Sequence, residues 1–231
     1  MGATIATGSA KDARTGFPPA PWHLGASGLV SVFLVDETRL PGSFAELRPA
    51  GWSPLRVGGR VVVTVGSISY SEGGVLAYDE ILVASPLRRG LSAAASVPQI
   101  WVDSEASRNG ARALWGIPKE LARFQRAATA KSLEAGMDLD GAAVVRLSAK
   151  IGLPLTPRRL KLPDFSLVQR FAGSAFASRH FAVAGVRLAR ATWDFGADGP
   201  LGYLRGAKQL ASFALPETAL VFGFETAVRP A

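Results

Sequence analysis

The sequence predicts an α+β protein, a curved or closed β-sheet that carries a few helices in one barrel-like unit. Short apolar runs with many β-branched residues recur along the chain, separated by glycine and proline. Only a few stretches have the apolar spacing of a helix. No internal repeat, low-complexity tract or linker follows residue 20, which indicates that the strands belong to one unit.

The elements follow from these patterns in chain order. The predicted strands are the apolar runs at 29–35, 61–65, 75–83, 100–102, 143–147, 183–188 and 219–224. The clearest helix covers 104–115, and weaker helical patterns lie at 119–128 and 205–212. We expect residues 1–20 to form a flexible N-terminal arm and residues 21–231 to form a single domain.

The composition argues against several kinds of site. The chain has no cysteine, which excludes disulfides and thiolate metal ligands. Its two histidines, His23 and His180, are too few for a histidine-rich metal site, so we expect a structural role for each. Neither a P-loop nor a Rossmann glycine fingerprint occurs. We therefore expect no metal and no cofactor.

Charge and hydropathy limit the partners. The formal net charge is +8, but the basic residues are scattered. The densest basic stretch, 156–161, has no aromatic ladder or nucleic-acid motif beside it, which favours a solvated loop and no nucleic-acid partner. The first twenty residues lack the apolar core of a signal peptide, and no run of eighteen apolar residues occurs. We expect a soluble cytoplasmic protein without a membrane partner.

The helix predicted at 104–115 has clear ends. Asp103 or Ser104 can cap its first turn, and Gly116 can take the left-handed conformation that ends a helix. Pro118 then forces the residue before it into an extended conformation. The chain therefore makes a braced corner after the helix.

Lys119 leaves this corner, in a chain with six lysines and twenty arginines. A lysine can lose its proton and attack a carbonyl carbon, whereas an arginine stays protonated. Lys119 is therefore a candidate nucleophile.

The stretch WVDSEASRNGARALWGIPKELA, residues 101–122, resembles the segment of the acetoacetate decarboxylase family that leads to its Schiff-base lysine. Pro118 and Lys119 match the family's Pro-Lys pair, and Glu80 in GVLAYDEILV matches its strand-borne catalytic glutamate. The resemblance spans roughly residues 20–228 and includes two closing strands, VRLARATWDF and LPETALVFGF. It implies a closed β-barrel of the acetoacetate decarboxylase-like type with appended helices, often assembled as a homo-oligomer, in which Lys119 and Glu80 are catalytic.

The implied chemistry sets requirements on the site. An ordinary lysine has a pKa of about 10.4, yet only a neutral amine forms an imine. Burial in an apolar cavity lowers the pKa of a lysine, so we expect Lys119 to be buried. Strand alternation places Glu80 on one face with Tyr78 and Leu82. We therefore expect Glu80 and Lys119 to line one largely apolar cavity, with Glu80 transferring protons.

Some positions depart from the family pattern. Glu120 stands where the family has a second lysine, and we expect its side chain to face away from the cavity and to pair with Arg112 or Arg123. Arg112 then braces the helix rather than binding substrate. We find no match for the family's substrate-binding arginine in GASGLVSVF or for its second catalytic glutamate in VVVTVGSISY, so the substrate-binding residues are unassigned.

These features together predict a Schiff-base-forming lyase that decarboxylates a β-keto acid, with a small keto acid or carbonyl compound as its partner. Two alternatives stay open. The same imine can serve an aldolase-dehydratase that acts on pyruvate or a related keto acid. The chain can also be a noncatalytic ligand-binding barrel that has kept the cavity and lost the chemistry.

Overall fold

Strands make up most of the computed structural model, which describes residues 16–231. In chain order the strands are β1 (Trp22–Val35), β2 (Ser53–Pro54), β3 (Arg56–Val57), β4 (Arg60–Ser71), β5 (Tyr78–Arg89), β6 (Ser92–Val102), β7 (Lys119–Leu121), β8 (Arg123–Ala128), β9 (Ser132–Leu139), β10 (Ala142–Pro154), β11 (Leu160–Lys161), β12 (Phe165–Phe171), β13 (Ser174–Ala184), β14 (Arg187–Phe195) and β15 (Lys208–Pro230). The helices are α1 (Ser43–Glu46), α2 (Glu105–Trp115) and two 3-10 turns, Glu37–Arg39 and Gly202–Leu204. Across the described range, none of these helices has the length and apolar character needed to span a bilayer.

Seven strands of the described chain close into a barrel. Their hydrogen-bonded order is β1, β4, β5, β6, β12, β13 and β15, and β15 pairs again with β1. The pairing of β13 with the second part of β15, from Thr218 to Pro230, completes the ring. Neighbouring strands are antiparallel except β6 and β12, which are parallel. The predicted fold class, an α+β protein on a closed β-barrel with a few appended helices, is confirmed.

A second layer extends from β15 and covers part of the barrel. β14, β10, β9 and β8 continue the sheet in that order. One core cluster joins Val63 and Ile81 of the barrel with Met137 and Phe195 of this layer. Because apolar side chains of both layers are buried there, the outer face of β4 and β5 is part of the protein core.

Strand β5 separates that core from the barrel interior. Ile81 and Val83 are fully buried in the outer core, whereas Tyr78, Glu80 and Leu82 line the interior. This is the alternation that the sequence predicts, and it directs the carboxylate of Glu80 into the barrel.

Helix α2 and the corner after it return the chain to the barrel. The Oγ of Ser104 accepts a hydrogen bond from the backbone N–H of Ser107 at 3.2 Å, and Gly116 has a φ of +64°. Both helix ends therefore form as the sequence predicts. β7 then pairs in parallel with β6, with Lys119 opposite Ile100. The corner thus fixes Lys119 against a barrel strand.

Several predicted elements need correction. The weaker helix predictions at 119–128 and 205–212 are wrong, because these segments form β7, β8 and the start of β15. Pairing with β6, β9 and β1 overrides their local helix propensity. The strand predicted at 75–83 begins only at Tyr78, and the one predicted at 183–188 is divided between β13 and β14.

The predicted arm, residues 1–20, lies mostly outside the described residues, which begin at Gly16. Pro18 is buried, and its carbonyl accepts a hydrogen bond from Nε1 of Trp22 at 2.9 Å. The chain just before β1 therefore packs on the barrel.

Candidate active site

The barrel encloses an elongated, largely apolar cavity of about 320 Å³. Alternate residues of β5 from Tyr78 to Pro86 line it, a span of roughly 26 Å at about 3.3 Å per residue. Most of the remaining wall is aliphatic or aromatic. Examples are Leu24, Val97, Ile100, Leu167, Leu220 and Phe222.

Lys119 is buried at one end of this cavity, with an exposed fraction of 4%. Its Nζ donates hydrogen bonds to Oε2 of Glu80 at 2.7 Å, to Oγ of Ser107 at 2.9 Å and to the hydroxyl oxygen of Tyr78 at 3.1 Å. An ammonium has three protons, and each has an acceptor here. The geometry therefore holds the lysine in its protonated form.

Glu80 contacts Lys119 through one carboxylate oxygen and Tyr70 through the other. The Tyr70 hydroxyl donates to Oε1 of Glu80 at 3.3 Å, and the rings of Tyr70 and Tyr78 lie 4.4 Å apart. Glu80 is 3% exposed, so bulk water does not solvate the carboxylate. The structure thus brings the two candidate catalytic residues, Glu80 and Lys119, together in one cavity.

The electrostatics of this cluster differ from the expectation for Lys119. Burial lowers the pKa of Lys119, as the sequence predicts. The Glu80 carboxylate and Tyr78 raise the pKa by more than burial lowers it, so the pKa lies above its ordinary value. Apolar burial alone therefore does not activate the amine, and its proton must move before it can react.

The two tyrosines stay protonated. Burial raises the pKa of Tyr70 well above its usual range, and the neighbouring Glu80 charge raises it more. Burial also raises the pKa of Tyr78, although Lys119 acts in the opposite direction. Both phenols therefore keep a hydroxyl proton, and that of Tyr70 is donated to Glu80.

Glu120 and Arg112 lie outside the cavity and pair with each other. Arg112 also donates from Nε to the backbone carbonyl of Lys119 at 2.8 Å. The side chain of Glu120 is 60% exposed. As the sequence predicts, Glu120 faces away from the lysine, and Arg112 braces the corner that carries it.

The sequence does not identify two of the polar partners, Ser107 and Tyr70. Ser107 lies four residues before Ala111 on the buried face of α2, so a polar residue on an apolar helix face is the signal that points to it. Tyr70 has no such signal, because its contact with Glu80 depends on the register of β4 against β5.

The cavity is poor in charge away from Lys119. Among the described residues that line it, Glu80 is the only acidic one, no arginine occurs, and Thr64 is the polar residue nearest the opposite end. Within residues 16–231, no group of three or more histidine, aspartate and glutamate side chains is arranged to hold a metal ion. The polar chemistry of the cavity is therefore concentrated around one lysine.

The chain is similar to known proteins in sequence pattern. The family model described as acetoacetate decarboxylase matches residues 13–199. No curated protein sequence shows a significant match.

Solved structures share the fold. An acetoacetate decarboxylase from Legionella pneumophila has a TM-score of 0.71 at 15% identity, covering 90% of this chain and 87% of that one. An acetoacetate decarboxylase-like enzyme from Sphingomonas wittichii RW1 has a TM-score of 0.65 at 15% identity, with coverages of 90% and 92%. The enduracididine biosynthesis enzyme MppR, complexed with the condensation product of pyruvate and imidazole 4-carboxaldehyde, has a TM-score of 0.63 at 14% identity, with coverages of 99% and 98%.

Proposed function

The chain belongs to the acetoacetate decarboxylase family, and from this premise we propose that it is a Schiff-base-forming lyase that decarboxylates a β-keto acid through an imine on Lys119. The observation that carries the proposal is the buried ion pair between Lys119 and Glu80, 2.7 Å apart in a largely apolar cavity. A buried amine with a proton acceptor in direct contact is the arrangement that imine formation needs.

The first step is transfer of the ammonium proton to Glu80 along their hydrogen bond. The pair has no net charge before or after the transfer, so the apolar surroundings oppose it less than they would oppose a step that leaves one of the two groups as an unpaired charge. Glu80 therefore both holds the lysine proton at rest and accepts it when a carbonyl compound enters. The Glu80 carboxylate raises the pKa of Lys119, and it is also the acceptor in direct contact to which the ammonium proton can pass.

The amine nitrogen then bonds to the carbonyl carbon, and a proton moves from that nitrogen to the carbonyl oxygen. The resulting hydroxyl leaves as water with the proton that Glu80 holds. The products are an iminium on Lys119, one water molecule and Glu80 again as a carboxylate. The atoms and charges balance without any other reactant.

The iminium withdraws electrons from the adjacent carbon. In a β-keto acid the bond to the carboxylate breaks, carbon dioxide leaves, and the bonding electrons form an enamine with a neutral nitrogen. Glu80 takes up a proton from solvent and gives it to the enamine carbon. Water then hydrolyses the iminium, which releases the ketone and restores the lysine ammonium.

Tyr70 and Tyr78 support these proton movements. The Tyr70 hydroxyl stabilises the carboxylate form of Glu80 by its hydrogen bond, and Tyr78 contacts Nζ of Lys119. Because both hydroxyls keep their protons, either can donate to the oxygen of a carbonyl that approaches the lysine.

A second candidate is an aldol condensation followed by dehydration. Here the iminium of a keto acid such as pyruvate loses a proton from its methyl carbon to Glu80, which gives the enamine without loss of carbon dioxide. The enamine carbon attacks an aldehyde, the aldehyde oxygen takes up the proton from Glu80, and the product then loses water. One observation favours it: the fold matches that of MppR bound to such a condensation product.

The experiment compares both reactions on one protein sample. Release of carbon dioxide is measured with a panel of β-keto acids, and product formation is measured with pyruvate and several aldehydes. Each mixture is also reduced with borohydride and mapped by peptide mass. Carbon dioxide release with a Lys119 adduct supports the decarboxylase, and aldehyde-dependent product supports the aldolase. No adduct with any ketone, keto acid or aldehyde would leave only a noncatalytic barrel.

A further inference from the structure

We propose that the substrate carries an unbranched or aromatic apolar tail of several carbon atoms, which lies in the barrel between Lys119 and a mouth beside Phe165. The inference rests on the proposed function, since the carbonyl group that reacts with Lys119 is one end of the substrate. The rest of the substrate is then an apolar tail.

The cavity has a polar end around Lys119, and the rest of it is an apolar channel. Glu80, Tyr70 and Tyr78 surround Lys119 at one end. Beyond them the wall is hydrocarbon apart from Thr64, and among the described lining residues no cation other than Lys119 occurs. A second carboxylate or phosphate on the substrate would lie there without a partner, which costs free energy. The tail is therefore uncharged.

Strand register and side-chain exposure together indicate where the cavity opens. Lys119 lies opposite Ile100 on β6, and Ala95 lies roughly 16 Å away along that strand at about 3.3 Å per residue. Ala95 pairs with Leu167 on β12. Phe165, which lies two residues before Leu167 on the same strand, is 39% exposed. Lys119 and Glu80 are buried and Phe165 is partly exposed, so we infer that a substrate enters beside Phe165 and passes the apolar part of the cavity to reach the lysine.

Small side chains keep the apolar part of the cavity open. Ala84 lies opposite Thr64, and Pro86 lies opposite Ala95, and these four residues line the cavity. The 320 Å³ cavity has the volume of about ten water molecules at about 30 Å³ each. Acetoacetate would occupy only the polar end. A molecule that fills the cavity places apolar carbon against these small residues.

The first test is a chain-length series on the unmodified protein. The decarboxylation kcat/KM is measured for 3-oxobutanoate, 3-oxohexanoate and 3-oxooctanoate. Each methylene that becomes buried should raise kcat/KM by about fourfold, which gives roughly 250-fold over the four methylenes of the series. A flat series, or one that falls with length while Lys119 adducts still form, would overturn the inference and leave the proposed function standing.

A variant tests the position of the tail. Ala95→Leu narrows the apolar part of the cavity. The ratio of kcat/KM for the eight-carbon acid to kcat/KM for the four-carbon acid should therefore fall at least tenfold. Ala219→Leu is the matched control, because Ala219 is exposed on a barrel strand and does not line the cavity. An unchanged ratio in a folded Ala95→Leu protein would contradict the placement of the tail.

A last measurement needs no imine. Linear alcohols from butanol to octanol cannot react with lysine, and their binding is followed by the fluorescence of Trp22 and Trp115, which line the cavity. Affinity should rise about fourfold per methylene. This rise without any keto-acid adduct would refute the proposed lyase and support the apolar site, whereas affinity independent of length would refute the apolar site itself.

Discussion

The hydroxyl of Ser107 accepts a hydrogen bond from Nζ of Lys119 at 2.9 Å, which links helix α2 to the corner that follows it. Tyr78 and Glu80 accept the other two protons of the ammonium. The lysine is therefore fixed in position and in protonation state before substrate arrives. The residues that hold its proton should set the pH at which it reacts.

Ser107→Ala tests the contribution of the helix to this arrangement. The hydroxyl favours the ammonium form, so its loss should lower the pKa of Lys119 and move the midpoint of borohydride trapping to lower pH. The free energy of unfolding should fall by about 2–3 kcal/mol, because the lost hydrogen bond involves a charged group and leaves a buried ammonium proton without an acceptor. Ser148→Ala, in the second layer, is the control. A midpoint that stays or rises would show that Ser107 has no influence on the lysine.

Glu80→Gln separates imine formation from proton transfer. Without the carboxylate, burial is left to lower the pKa of Lys119, so trapping should persist and its midpoint should shift to lower pH. Turnover should fall on the order of 100-fold or more, because the proton-transfer group is lost. Asp79→Asn removes a carboxylate from the adjacent position of the same strand and serves as the control. Unimpaired turnover in Glu80→Gln would exclude Glu80 as the acid-base residue.

Glu120→Gln tests whether the acidic residue beside the lysine takes part in the chemistry. Its partner is Arg112, and an exposed ion pair contributes at most about 1 kcal/mol to stability. The rate of borohydride trapping should therefore change less than about twofold. A severe loss of adduct in the folded variant would make Glu120 an active-site group and overturn its assignment to the outer surface.

Local pattern was sufficient for the parts of the site that lie close together in the chain. The caps at Ser104 and Gly116 define α2, and the alternation around Glu80 gives the inward face of β5. Tyr70 meets Glu80 only through the register of two strands, which single-sequence reasoning does not fix. The segment at 119–128 has helix-forming residues, but its strand partners lie elsewhere in the chain.

His180 should make stability depend on pH. Burial lowers the pKa of His180 from 6.5 to about 3. Its ring stacks on Phe165 and lies against Phe222, while Nδ1 accepts from the N–H of Gly223 at 3.0 Å. Between these two pKa values the unfolded chain binds more protons than the folded protein, so stability is full above pH 6.5 and is lost as the pH falls toward 3.

The measurement is urea unfolding at pH 7 and pH 5. His180 should account for a loss of about 2 kcal/mol between these values, which His180→Gln should remove. His23→Gln is the matched control, because His23 is exposed. If the unmodified protein, His180→Gln and His23→Gln all lost the same stability between pH 7 and pH 5, the pH dependence would belong to other groups.

The most direct test of the account is borohydride trapping in Lys119→Arg. Arginine keeps the positive charge beside Glu80 but cannot become a neutral amine, so the fold should be retained while the adduct and turnover are lost. Peptide mass mapping of the unmodified protein should place the adduct on Lys119, as reduction of an imine requires. Trapping on another lysine in Lys119→Arg, with turnover unchanged, would contradict the mechanism and leave Lys119 a structural residue.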